Sequence, residues 1–166
     1  MRLLSTLFAL GFAACAETLP PIEGENLLGT KIVLPQAAAG HAAILVIGFS
    51  HASQQQTKAW ADRLDREFPS SAMVTVYPVA VLEAAPRLVR GMAAHGIRSD
   101  TPKEQRDRFL LVYHKEAGLK IAAGFSAPDD AYIVLLDAHG AIRRRFHGAP
   151  TDSEVAELEK ETKAAE

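Results

Sequence analysis

The sequence predicts an α/β domain in three layers, α/β/α, with an N-terminal β-hairpin extension, and three observations predict it. Strand-like and helix-like segments alternate through the middle of the chain. One run, Ala42 to Phe49 (AAILVIGF), is apolar on both faces, as a strand at the centre of a parallel or mixed sheet must be. The chain then closes with a hairpin and a capped helix. Composition suits one globular domain: 166 residues, 48% hydrophobic and 23% charged, with a formal net charge of -2. No basic excess is available to neutralise phosphates, which argues against a nucleic-acid partner.

The elements follow in order. Arg2 precedes Leu3 to Ala16 (LLSTLFALGFAACA), a short apolar stretch ending in small residues, which is the pattern of a secretory signal peptide. The triplet Ala14-Cys15-Ala16 has the form of a cleavage site, so residues 1–16 are expected as leader and 17–166 as an exported domain, periplasmic or envelope-associated. A second reading takes Phe12 to Cys15 as a lipobox, with Cys15 lipidated and the chain attached to a membrane. Both readings stand at this stage.

After Leu19-Pro20-Pro21, the segment Glu25 to Pro35 carries a Gly29-Thr30 turn between apolar pairs and reads as a hairpin. The buried strand at Ala42 to Phe49 comes next. Gln54 to Phe68 has Thr57, Trp60, Ala61, Leu64 and Phe68 at spacings of three and four, an amphipathic helix ended by Pro69. Met73 to Leu82 reads as a strand in which Pro78 predicts a bulge, an edge or an early end. Ala84 to Ile97 reads as a helix with Leu88, Met92 and His95 in one stripe. Thr101-Pro102-Lys103-Glu104 has the make-up of a helix start, with Thr101 as cap. Ala131 to Leu136 and Ala141 to Phe146 form a hairpin through Asp137 to Gly140. Thr151-Asp152-Ser153-Glu154 is a capping box opening a charged helix to about Lys163.

Strand, helix, strand, helix, hairpin, helix is the order of the thioredoxin fold, and the leading hairpin resembles the extension common in peroxiredoxins and exported thiol-disulfide reductases. Thiol chemistry in that fold needs a thiolate at the start of the helix after the buried strand, with a second thiol three residues on. Counting from Phe49 puts Gln54 and Thr57 at those positions, and counting back from Asp137 puts Ala131 where the fold's cis-proline falls. The chain has a single cysteine, Cys15, so a disulfide within it has no second sulfur.

The C-terminal half carries a more specific resemblance. Ser99 to Phe109 (SDTPKEQRDRF), Asp130 to Asp137 (DAYIVLLD), Gly140 to Arg143 (GAIR), Gly148, and Thr151 to Leu158 resemble the mitochondrial ATP synthase assembly-factor family whose yeast member is called ATPase complex subunit ten. Leu27 to Lys31 and Leu34-Pro35 fit the same pattern, while Arg144 departs from it where the family favours Trp. The resemblance implies a thioredoxin-like protein that assists assembly of a membrane ATP synthase without redox catalysis.

Candidate binding residues are Ser50, His51, Gln54 and Thr57, which could hold an anion at a helix start, and Arg143 and Arg145. Strand alternation puts those two arginines on one face, where they could meet carboxylates or anionic headgroups. Ser50 and Ser53 also have the ordinary role of helix caps. His41, His51, His95, His114, His139 and His147 are scattered without metal-ligand spacing, so neither a metal nor a cofactor is expected. The function expected is that of an exported, redox-inactive thioredoxin-like binder, an assembly or maturation factor whose partner is a membrane or envelope protein complex. The alternatives are a small enzyme or anion-binding protein using the Ser50 to Thr57 loop, and a degenerate thiol-disulfide reductase or peroxiredoxin relative.

Overall fold

The computed structural model describes residues 17–69 and 74–164. The proposed leader and Cys15 lie outside the described residues.

Ile22–Asn26 (β1) and Lys31–Leu34 (β2) form the expected hairpin, its turn closed by Gly29 at φ +86. The Asn26 side chain fixes that turn, accepting from the N–H groups of Leu28 and Thr30 and donating to the Asp107 carbonyl. Ala42–Gly48 (β3), Gln54–Glu67 (α1), Val74–Val81 (β4) and Arg87–Asp100 (α2) follow as an alternating series. Leu110–Val112 (β5) and Glu116–Ala123 (α3) come next, two elements that sequence pattern did not single out. Ala131–Leu136 (β6), Ile142–His147 (β7) and Asp152–Ala164 (α4) complete the fold.

The strands make one seven-stranded sheet in the order β2-β1-β5-β4-β3-β6-β7, parallel through β5, β4 and β3 and antiparallel elsewhere. Alternation along the central strands builds a core on each face. Ala43, Leu45 and Ile47 of β3 join Tyr132, Val134 and Leu136 of β6 in one core, covered by Leu119, Ala122 and Ala123 of α3 and by Leu19, Ile22 and Leu34. Ala42, Ile44 and Val46 join Ala131, Ile133 and Leu135 in the other, beneath Trp60 and Leu64 of α1 and Val155 and Leu158 of α4. The Trp60 indole N–H donates to the Gly148 carbonyl at 2.9 Å, so the buried ring leaves no orphan donor.

Two expectations are corrected. Pro78 neither bulges nor ends its strand: β4 pairs with β3 without interruption, Val46 opposite Pro78. Its other neighbour, β5, begins pairing only at Val79, so at Pro78 that flank has no ladder for the missing N–H to interrupt. Thr101 does not start an α-helix. It caps the end of α2, its hydroxyl donating to the Ile97 carbonyl, and only a short 3-10 turn, Lys103–Gln105, follows Pro102. The helix read at Ala84 to Ile97 is present as α2 with Leu88 and Met92 on one side; that side faces outward, and α2 has no buried residue. The capping box is present as read: Thr151 and Glu154 exchange side-chain and backbone hydrogen bonds at the start of α4.

Candidate functional site

The turn between β3 and α1 and the loop before β6 meet at the C-terminal end of β3. Gly48 permits the approach. A Cβ there would sit 2.9 Å from the Ser53 hydroxyl and 3.1 Å from a Thr57 methyl, so any side chain would push α1 off the strand end. Ser53, fully buried, lies at the helix start, but its hydroxyl does not cap the helix. It donates to the Ser50 carbonyl at 2.9 Å, while the Ser53 N–H donates to the Ser50 hydroxyl at 3.3 Å. The Ser50 hydroxyl donates in turn to the Pro128 carbonyl at 2.7 Å, tying the two loops together.

A second tie comes from Gln56, whose side-chain oxygen accepts from the Ala131 N–H at 3.0 Å. The donor is an alanine N–H, which a proline at this position would lack. The alanine therefore permits this link between α1 and β6. Gln54, the first helical residue, is exposed, and Thr57 donates its hydroxyl to the Gln54 carbonyl at 3.0 Å. The hydroxyls of Ser50 and Thr57 are thus given to backbone carbonyls, not to a base, so neither is poised as a nucleophile. His51 is exposed on the rim of this junction.

Beneath the junction lies an aromatic cluster that sequence reading missed. Phe49 meets Phe125 and Tyr132 edge-on, at centroid distances of 5.1 and 5.5 Å, and Tyr132 stacks on His147 at 6.1 Å. The Tyr132 hydroxyl accepts from the N–H groups of Ser126 and Ala127 and donates to the Ala127 carbonyl, which fixes the loop leading to Pro128. Lys120 lies over the Phe125 ring at 4.5 Å and pairs with Glu116 at 2.6 Å. His147 faces Asp130 at 3.2 Å. Four scattered segments supply these residues, so no local sequence pattern marks them.

Simple strand alternation does not run through Arg143 and Arg145. Leu135 pairs with Arg144 but Leu136 pairs with Ile142, so Arg143 is the extra residue of a β-bulge and simple alternation fails there. Arg145 turns to α3, where its Nε donates to the Ala122 carbonyl at 2.6 Å and its guanidinium pairs with Glu17. Arg144 turns to α4 and binds Glu157 at 2.9 Å and Glu161 at 2.6 Å. Arg144 and Arg145 thus make two separate structural clamps, and Arg143 is exposed. Among the described residues, no group of three or more His, Cys, Asp or Glu side chains converges as a metal site would require.

A mixed sheet with a helix starting at the end of its central strand, and a second loop meeting that start, is the arrangement of a thioredoxin-like fold. Solved structures agree on the fold. The chain is similar to the exposed lipoprotein thioredoxin Etrx1 of Streptococcus pneumoniae, with TM-score 0.63, 12% identity, 86% of this chain and 99% of that one covered. It is similar to the thioredoxin domain of a thiol-disulfide oxidoreductase from Bacteroides vulgatus, with TM-score 0.63, 16% identity, and 89% and 96% covered. It is also similar to BsSco, a member of the Sco family of cytochrome c oxidase assembly proteins, with TM-score 0.59, 12% identity, and 91% and 94% covered. Residues 13–164 match the ATP10 protein family, and the chain belongs to that family. No curated protein matches it.

Proposed function

We propose that the protein is an exported, redox-inactive thioredoxin-fold factor that acts by binding, assisting the assembly or maturation of a membrane or envelope protein complex in the manner of an ATP synthase assembly factor. One observation carries this reading. Where the fold would present a thiol pair the chain has Gln54 and Thr57, its single cysteine lies at position 15, and the junction is closed by hydrogen bonds through Ser50, Gln56 and Ala131. Membership of the ATP10 family supports a protein partner, and the apolar segment before Glu17 supports export.

The rim of the junction, around His51 and Asp129, is the exposed part of the site. A photoactivatable crosslinker at either position is expected to capture subunits of a membrane complex in the native envelope, whereas the same crosslinker at exposed Ala156 of α4 captures none. Equal capture from all three positions would refute binding at this junction. Intact mass of the recovered protein tests export: a start at Glu17 means leader cleavage, a diacylglyceryl Cys15 means a lipoprotein, and an uncleaved Met1 start contradicts both.

A further inference from the structure

Helix α2 has the wrong side out for a helix that serves only the core. Leu88 is 81% exposed, Met92 71% and Val89 47%, while its inward-turned positions are half-buried Arg90, Ala93, Ala94 and Ile97. At 3.6 residues per turn, Leu88, Met92, His95 and Ser99 share the outer side of the helix. Arg87 and Arg98, both exposed, run along one flank, and Val89 lies on the other. The helix carries no carboxylate before its last residue, Asp100. Arg98 also donates its Nε to the Leu27 carbonyl at 2.9 Å, which holds the β1–β2 turn beside the end of α2. That turn carries Leu28, itself 63% exposed.

We propose that the outer face of α2, with Leu28, is a docking surface for an anionic lipid bilayer. Leu88, Val89 and Met92 would enter the acyl boundary while Arg87 and Arg98 meet the headgroup phosphates. Charge decides between occupants. A protein that is net negative overall keeps a carboxylate-free run from Arg87 to Ser99 around its exposed apolar residues, which is the signature of an interfacial helix on anionic lipid. Fourteen residues are too few to span a membrane, and no helix among the described residues is long and apolar enough to do so, so α2 lies along the surface. The inference is independent of any lipid on Cys15.

The test uses the full chain with Cys15→Ser and Met92→Cys, labelled at the new thiol with an environment-sensitive fluorophore. A label at Ala156→Cys on α4 serves as control. Vesicles of equimolar phosphatidylcholine and phosphatidylglycerol are expected to shift the emission at position 92 to the blue and leave position 156 unchanged, whatever the leader does. Vesicles of phosphatidylcholine alone are expected to give at least about fivefold weaker partitioning, the size of effect one or two arginines produce at an anionic surface. Adding Leu88→Glu is expected to weaken partitioning by at least about tenfold by exposing a charge in place of an apolar side chain. Because Leu88 is exposed, an unchanged circular dichroism melt will confirm that this variant folds. The proposal is overturned by an unshifted label at position 92, by equal shifts at 92 and 156, or by indifference to Leu88→Glu. A shift seen only when a partner protein is added overturns it equally, assigning the face to protein.

Discussion

Helices α1 and α2 are each 14 residues long, and each carries an apolar stripe at spacings of three and four. In α1 the stripe is buried: Trp60 and Leu64 are fully enclosed against Ile44, Val46, Val155 and Leu158. In α2 the larger apolar residues point to solvent, and Arg90, Ala93, Ala94 and Ile97 turn inward. Periodicity therefore identifies a stripe without fixing its direction. Direction follows from what lies on each side, and in α2 the inward side is only half-buried while the large apolar residues stand exposed on the other.

The sharpest way to break this comparison is truncation of one residue from each stripe. Trp60→Ala removes a buried ring and its bond to Gly148, and is expected to lower unfolding free energy by about 3–5 kcal/mol. Met92→Ala is expected to stay within about 0.5 kcal/mol of the parent in the same urea titrations. Comparable losses would mean that α2 is as much a core helix as α1.

A smaller effect tests the junction at the start of α1. Gln56→Ala deletes the acceptor of the Ala131 N–H and is expected to cost about 1 kcal/mol. Amide hydrogen exchange at Ala131 should quicken, while exchange within α2 stays unchanged. If exchange at Ala131 is unaltered, the two loops are not held by this link.

Smaller still is the clamp between β7 and α4. Arg144→Ala leaves Glu157 and Glu161 without their partner on a half-exposed surface, and should cost no more than about 1 kcal/mol, diminishing with salt. Thermal melts at low and high ionic strength would check this. The least effect at neutral pH comes from Tyr77. Burial, and secondly the Asp107 carboxylate, raise its phenol above the ordinary value of 10.0. The folded chain therefore keeps that proton to higher pH than the unfolded chain. Its contribution is complete below pH 10.0 and lost as pH rises through the folded value. Urea titrations across that range should show Tyr77→Phe reducing the alkaline loss.

Much of the fold was legible because its signals are local. The doubly apolar run at β3, the three-and-four spacing in α1, and the Thr151–Glu154 box each specify their own structure within one or two turns. β5 escaped because three residues are too short for a pattern, and α3 because it opens on Lys115 in the left-handed region and carries Gly118, both poor helix signals. Pro78 misled because strand rules for proline assume a ladder on both flanks at that residue. At the site, Ser50, Gln54 and Thr57 could be placed by counting from Phe49. Gln56 could not, since its role depends on the alanine at position 131, 75 residues away. Alternation could not place Arg143, because it is the extra residue of a bulge between Ile142 and Arg144.

The central claim is that this thioredoxin fold binds without thiol chemistry, and turnover tests it most directly. The full chain and its Cys15→Ser variant would be assayed side by side for insulin disulfide reduction with dithiothreitol, and for peroxide consumption. The account predicts that both proteins match the protein-free background in both assays. Sustained turnover above background by the full chain that is lost in the Cys15→Ser variant would place thiol chemistry at Cys15 and contradict it, and turnover kept by the variant would contradict redox inactivity.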